Sequence, residues 1–298
     1  MKRIICFILT LSLLLLSVGC GSQPNSGGST LWPSYLTPEN IVSDWSEGLP
    51  EGFTLRVGSF NIMGARGVEG DIASLAEEIL ALGLDIVGIQ EVDEGTARSG
   101  GVYITKELAE ACGFKYYKHT AAMDYDGGTY GTSIISRYRI EDCSDIFLTT
   151  GGSQEPRAVG YARINIKGFD VDFYNTHLSY ESTRTRERQL KDLSYAIFSG
   201  SNTVLTGDLN VASASELEVF ADDYNIVNNG TMSTFPEKGY AVDDIILDKS
   251  WTVVECGVED VEGKSDHNLI WAELAYAGDE DSGEQAPEDS EQGEDGGI

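Results

Sequence analysis

Cysteine, histidine and basic residues are scarce in this 298-residue chain: 5 Cys, 3 His and 20 Lys+Arg stand against 49 Asp+Glu, for a formal charge of -29. So few cysteines exclude a disulfide scaffold, and no Cys-x-x-Cys pair or His/Cys cluster of zinc spacing is present, which excludes structural zinc. The shortage of bases means that polyanions and anionic surfaces are repelled at long range, so any anionic partner must be captured locally, most easily through a divalent cation. What is present is a hydrophobic content of 41%, enough to bury a core and to exclude a wholly disordered chain.

The acid is unevenly spread. Residues 277–298 hold nine acidic residues and no base among Gly, Ser, Gln and Pro, and read as a disordered tail. Four more acids lie in residues 21–51, leaving 36 acids against 18 bases for residues 52–276, a folded part of about -18. At the other end Lys2 and Arg3 precede an uncharged apolar run, Ile4 to Val18, the pattern of an export signal. The segment Leu16-Ser17-Val18-Gly19-Cys20 with the Gly/Ser-rich stretch after it resembles a bacterial lipoprotein signal, although Ser17 stands where leucine is usual. That resemblance implies a signal peptide over residues 1–19, lipidated Cys20 as mature N-terminus, a tether over 20–51 and a protein held on the extracytoplasmic face of the membrane. Ordinary secretion and an uncleaved anchor are the alternatives. Cys112, Cys143 and Cys256 are expected as three buried free thiols, with one disulfide plus a free thiol as the alternative.

Between residues 52 and 276 short apolar runs alternate with amphipathic segments, and no internal repeat is found. Strands are expected at 55–60, 84–90, 132–136, 159–166, 171–175, 203–206, 241–247, 251–256 and 269–274, and helices at 71–82, 103–111, 183–198 and 214–220. Runs such as Ile86-Val87-Gly88-Ile89 and Val204-Leu205 read as strands buried on both faces. Four strands finish on polar residues: Asn61, Glu91, Thr176-His177 and Asp208-Leu209-Asn210. Open α/β sheets bind ligands at that carboxyl edge, and Asp208 and Asn210, two apart, point to one side in extended geometry. Asp266-His267 precedes a strand, and an antiparallel strand starts where its neighbours finish, so five places can meet in one pocket.

The ordered set SFNI, IQEVD, YGTSIISRYRI, EPRAVGYARI, NTHL, TGDLN, TFP with YAVDDII, and SDHNLI resembles the endonuclease/exonuclease/phosphatase superfamily across residues 52–276. That superfamily includes secreted deoxyribonucleases, abasic-site endonucleases, bacterial sphingomyelinases and inositol polyphosphate phosphatases. The resemblance implies an α/β fold of two mixed sheets packed face to face with helices outside, in four layers. It also implies hydrolysis of a phosphoester with Mg²⁺, or with Mn²⁺ or Ca²⁺. By the same resemblance Asn61, Glu91 and Asp266 lie at the metal. Asp208 orients or deprotonates the attacking water, Asn210 helps to place it, His177 contacts the phosphate or leaving oxygen, and His267 stabilises the developing charge. Asp243 orients His267, with Asp244 the alternative.

Each residue also has a plainer reading. Glu91 can be a solvated residue after a strand, Asp208-Asn210 an Asx turn, and His177 a satisfied strand-end histidine. Arg157 contacts phosphate or makes a structural salt bridge. Arg184, Arg186, Arg188 and Lys191 read as a basic patch toward substrate or, more plainly, as a solvated helix face, and His119 as a surface residue. Tyr130-Gly131-Thr132 departs from the superfamily's frequent Gly-Asn, which bears on substrate and not on catalysis. The leading expectation is a monomeric, nuclease-like phosphodiesterase acting on nucleic acid or a small phosphodiester. The alternatives are a phosphatase, a phospholipid or inositol-phosphate phosphodiesterase, and a catalytically silent binding domain. No long apolar hairpin suited to probing a membrane occurs in the domain, which counts against a sphingomyelinase.

Overall fold

The computed structural model describes residues 49–277 except 199 and 201; the signal, Cys20, most of the tether and nearly all of the acidic tail lie outside the described residues. Twelve strands and three α-helices follow one another as β1 (Thr54–Asn61), α1 (Ile72–Ala81), β2 (Ile86–Glu94), α2 (Ile104–Ala111), β3 (Tyr116–Tyr125), β4 (Gly128–Ser136), β5 (Arg139–Phe147), β6 (Ala158–Ile166), β7 (Phe169–His177), α3 (Thr183–Ile197), β8 (Val204–Asp208), β9 (Tyr224–Ile226), β10 (Asp243–Asp248), β11 (Trp251–Glu259) and β12 (Leu269–Tyr276). They build two six-stranded mixed sheets, ordered β11-β12-β1-β2-β4-β3 and β5-β6-β7-β8-β10-β9. Only β1–β2 and β7–β8 pair in parallel, and each such pair needs a crossover, supplied by α1 and α3.

Side-chain alternation makes the layers. In β2, Ile86 joins the core between the sheets while Val87 and Ile89 face α1 and α2; in β8, Val204 points inward and Leu205 toward α3. A strand covered on both faces has no polar side to show, which is why these runs are apolar throughout. The inter-sheet core is carried by Leu55, Val57, Ile134, Ile164, Phe173 and Ile245, with Trp251 sealing one end. The expected four layers are therefore present.

Toward the end where the site lies, this interface turns polar. Asn175 Nδ2 donates to Ile89 O at 2.9 Å and Ser133 O at 2.8 Å, and its Oδ1 accepts from Gln90 Nε2 at 2.7 Å and Thr206 Oγ1 at 3.1 Å. Gly88 leaves the room for this network, since a Cβ there would lie 2.0 Å from Thr206 Oγ1 and 2.5 Å from Asn175 Oδ1. Gly88→Ala is expected to destabilise the domain by about 1–3 kcal/mol, lowering the melting temperature by several degrees in a thermal scan. An unchanged melt would show that the network can yield.

Four expectations are corrected. Strands β3, β5 and β9 did not stand out: β5 is an exposed edge carrying Glu141, Asp142 and Asp145, so its sequence reads as a loop. The strand at Glu91 does not stop there; β2 continues to Glu94 past a bulge between Ile89 and Val92. Residues 214–220 form a 3-10 helix and not an α-helix. Of the three cysteines, Cys112 is a buried free thiol and Cys256 is free but exposed.

Candidate active site

The register of three neighbouring strands puts three ionisable residues in a row. His177 ends β7 opposite Asp208 at the end of β8, and Asp208 faces Asp243 at the start of the antiparallel β10. β12 runs antiparallel to β1, so the loop before it arrives at the same edge, where Ser265 Oγ donates to Asn61 O at 2.7 Å and accepts from His267 N at 3.3 Å. A chain segment about 90 residues downstream of His177 is thus pinned beside it.

His267 Nδ1 is 2.8 Å from Asp243 Oδ2, its Nε2 is 3.7 Å from Asp208 Oδ2, and His177 Nε2 is 3.3 Å from the same oxygen. Successive strand residues face opposite ways, and Asp244 accordingly turns from the pocket to accept the N–H groups of Asn228, Asn229 and Ile245. The geometry places Asp243, and not Asp244, against the imidazole. Phe235 lies over the His267 ring at 4.8 Å between centroids, with Lys238 Nζ 5.4 Å above Phe235.

Burial, together with the nearby charge of Asp243, pushes Asp208 up to about 7, against the pull of His267 and of the Asn61 amide. Burial alone would lower His267, but Asp243, Asp208 and Asp266 around it raise it to about 10. His177 is held well below its usual value by burial and by the positive charges of Arg157 and His267. The row therefore sets a buried carboxylate, held above the usual carboxylate range, between one imidazole pushed toward its charged form and one held toward its neutral form.

Glu91 and Asn210 both take left-handed backbone angles, φ 56° and 51°. For a glutamate this conformation is strained, and at the β2 bulge it accompanies a carboxylate that lines the pocket. Asn61 Nδ2 donates to Asp208 Oδ2 at 3.0 Å and to Glu91 Oε1 at 3.3 Å, tying the ends of β1 and β8 to the bulge of β2. Asn210 donates from its backbone N–H to Asp208 Oδ1 at 3.1 Å and from Nδ2 to Leu178 O at 3.0 Å, which fixes the Asp208 plane. Glu91, Asp208 and Asp266 thus give the pocket hard carboxylate oxygens, the donor chemistry that suits Mg²⁺ or a similar divalent cation. Asn61 fits less simply, because its Oδ1 already accepts from Met63 N–H at 3.0 Å. Among the described residues Asp208, Asp243 and His267 bring possible ligand atoms within 4.8 Å of one another; a cation there would compete with the proton between Asp243 and His267.

These residues open on a cavity of about 660 Å³, the size of a small-molecule site. Arg157 is buried and makes the structural salt bridge, to Glu155 at 3.1 Å, and it also lines the cavity wall. Arg186 departs from the expected solvated face: it turns inward to pair with Glu216 at 2.8 and 3.0 Å, clamping α3 to the 3-10 helix, while Arg184, Arg188 and Lys191 are exposed. His119 is not a free surface residue; it is half-buried beside Ser133 and Thr129, and burial lowers it to about 4. Sequence reasoning assigned no role to Arg98, which grips Asp93 through two hydrogen bonds and covers Tyr125 at 4.4 Å on the cavity wall. The loop that carries Arg98 gives no periodic signal, and only the β3–β4 hairpin brings Tyr125 and Tyr130 to it.

Two face-to-face mixed sheets, with helices outside and an acid–imidazole site at their shared edge, define an α/β sandwich of phosphoesterase type. The chain matches the Endonuclease/Exonuclease/phosphatase family over residues 58–267, and it belongs to that family. No match is found among curated proteins. Among solved structures it is similar to an endonuclease/exonuclease/phosphatase of Beutenbergia cavernae (TM-score 0.63, 21% identity, covering 76% of this chain and 72% of that one). It is also similar to D. rerio TDP2 in complex with a single-stranded DNA product (0.61, 18%, 74% and 99%) and to the Bacteroides thetaiotaomicron mannosyl-6-phosphatase Bt3783 (0.57, 20%, 74% and 100%).

Proposed function

We propose that the protein is a divalent-metal-dependent phosphoesterase that hydrolyses phosphodiester bonds by attack of an activated water on phosphorus. The observation that carries this reading is the Asp243–His267–Asp208–His177 row, in which one buried carboxylate lies between two imidazoles at the cavity floor. Asp208, raised toward neutrality, suits a base that accepts a proton from water. His267, kept protonated and oriented by Asp243, donates toward the phosphate oxygen on which charge develops. His177 lines the same cavity with Nε2 toward Asp208, placed to hydrogen-bond the phosphate or the leaving oxygen, and Asn210 holds the Asp208 plane. Mg²⁺, or Mn²⁺ or Ca²⁺, held by Glu91 with Asn61 and Asp266 beside it, supplies neutralising charge to the phosphate when bound.

The acidic chain favours a small phosphodiester over duplex nucleic acid, and a phosphatase is the nearest alternative. The test is a hydrolysis panel with and without Mg²⁺: an aryl phosphodiester, single- and double-stranded DNA, RNA, sphingomyelin, sugar phosphates and inositol phosphates. Turnover of the aryl diester above that of every monoester supports the reading; hydrolysis of monoesters alone makes the protein a phosphatase, and no turnover at all makes it a binding domain.

The reading extends to place. A Cys20 bearing two acyl chains, at about 0.8 kcal/mol per buried methylene, would hold the protein stably on the outer face of the membrane. Cys20→Ser is expected to shift it from the membrane fraction to the medium, or to leave the precursor unprocessed. Full membrane retention of a processed Cys20→Ser protein would mean that something else anchors it.

A further inference from the structure

Behind the row lies a second, much smaller cavity, lined by Thr132 of β4, Arg157, His177 and mostly small residues between them. Three atoms of its lining residues, Thr132 Oγ1, Arg157 Nε and His177 Nδ1, are buried with no hydrogen-bond partner. All three residues are more than nine-tenths buried. The cavity offers about 10 Å³ to the centre of a water-sized sphere, room for a single water, and a buried water is expected where two to four polar groups converge.

We propose that one bound water joins Thr132, Arg157 and His177, and that it holds His177 as the Nε2–H tautomer required for the reaction proposed above. The hydrogen-bond accounting leaves little freedom. Arg157 Nε can only donate, so the water oxygen accepts from it. His177 Nε2 lies 3.3 Å from the Asp208 carboxylate, whose negative charge favours the proton on that ring nitrogen. In the neutral ring Nδ1 is then an acceptor for one water hydrogen, which leaves the other for Thr132 Oγ1. Three bonds to one water satisfy all three groups. A direct Thr132–His177 bond would still leave Arg157 Nε unpaired, while the Glu155 ion pair at 3.1 Å holds the guanidinium in place. Thr132 and Arg157 are thus positioning residues, acting on the substrate side through His177.

The water rests on geometry alone, and its effect on rate rests on the phosphoesterase reading, so the test has arms for each. With three histidines in the chain, the ring nitrogens of His177 can be assigned in a long-range ¹H–¹⁵N spectrum of the intact, ¹⁵N-histidine-labelled protein. Wild type is expected to show one protonated and one bare nitrogen at neutral pH. Thr132→Val, equal in shape but without the hydroxyl, should move the Nδ1 resonance, lower the melting temperature by about 2–4 °C, and cut kcat on the aryl diester about tenfold at unchanged KM. Thr132→Ser should restore all three. A dry cavity predicts the opposite sign: Thr132→Val would raise the melting temperature by removing an unpaired buried hydroxyl and leave the ring resonances where they were, which overturns the proposal. If wild type hydrolyses nothing while Nδ1 still responds to Thr132→Val, the water site stands and the phosphoesterase reading falls.

Discussion

Asp208→Asn and His267→Ala are each expected to lower kcat by a factor on the order of 10² to 10⁴ with much smaller changes in KM. Both groups act on charge that appears only in the transition state: Asp208 as water gives up its proton, His267 as the phosphate oxygens become more negative. Asp243 acts through His267, to which it is joined at 2.8 Å, so Asp243→Asn should cost less than His267→Ala. The double variant should be little worse than His267→Ala alone, because an orienting carboxylate has nothing to orient once the imidazole is gone. Steady-state kinetics on an aryl diester read the whole cycle. Additive losses at Asp243 and His267 would break the pairing. Asp244→Asn serves as the control: its oxygens hold the 228–229 loop, so it should lower the melting temperature more than it changes kcat.

Glu91→Gln should raise the Mg²⁺ concentration needed for half-maximal activity at least tenfold, and a chelator should abolish wild-type turnover. Few protein ligands share the cation in such a site, so the loss of one negative charge is not compensated by neighbours. The substitution leaves the backbone at Glu91, with φ 56°, as it is, and Gln can still accept from Asn61 Nδ2, 3.3 Å from Glu91 Oε1. A Mg²⁺ titration of the variant at fixed substrate separates the two effects: recovery of full kcat at high Mg²⁺ marks lost metal affinity, and an unrecovered kcat marks a direct role in the chemistry. Unchanged wild-type activity in the chelator would remove the metal from the proposal altogether.

Much of this was open to reading along the chain because the fold repeats one local rule. An apolar run gives way to a polar residue at the same sheet edge, so Asn61, Glu91, His177 and Asp208 could be picked out where such runs stop, although β2 itself continues past Glu91, and the doubly buried strands from their lack of alternation. Order along the chain made eight weak motifs specific, and the family match over residues 58–267 agrees with them. The exposed edge strand β5 escaped notice because its outward face is acidic, and a strand with one polar, solvated face has no pattern that separates it from a loop.

Other things were decided only by tertiary structure. Whether Asp243 or Asp244 meets His267 depends on the pleat of β10 and on the arrival of a loop from β12, two facts no local window contains. Arg186 sits in a run of bases whose neighbours are solvated, and it became a buried clamp only because Glu216 lies opposite it. His119 has no motif partner along the chain, and it is half-buried because Ser133 and Thr129 reach it across the β3–β4 pairing. Sequence determines which groups a strand can deliver to an edge, because side-chain direction there follows from period two. Which of those groups share a proton, lose their water or face a cavity depends on contacts between residues tens to hundreds of positions apart, and those exist only once both sheets have closed on each other.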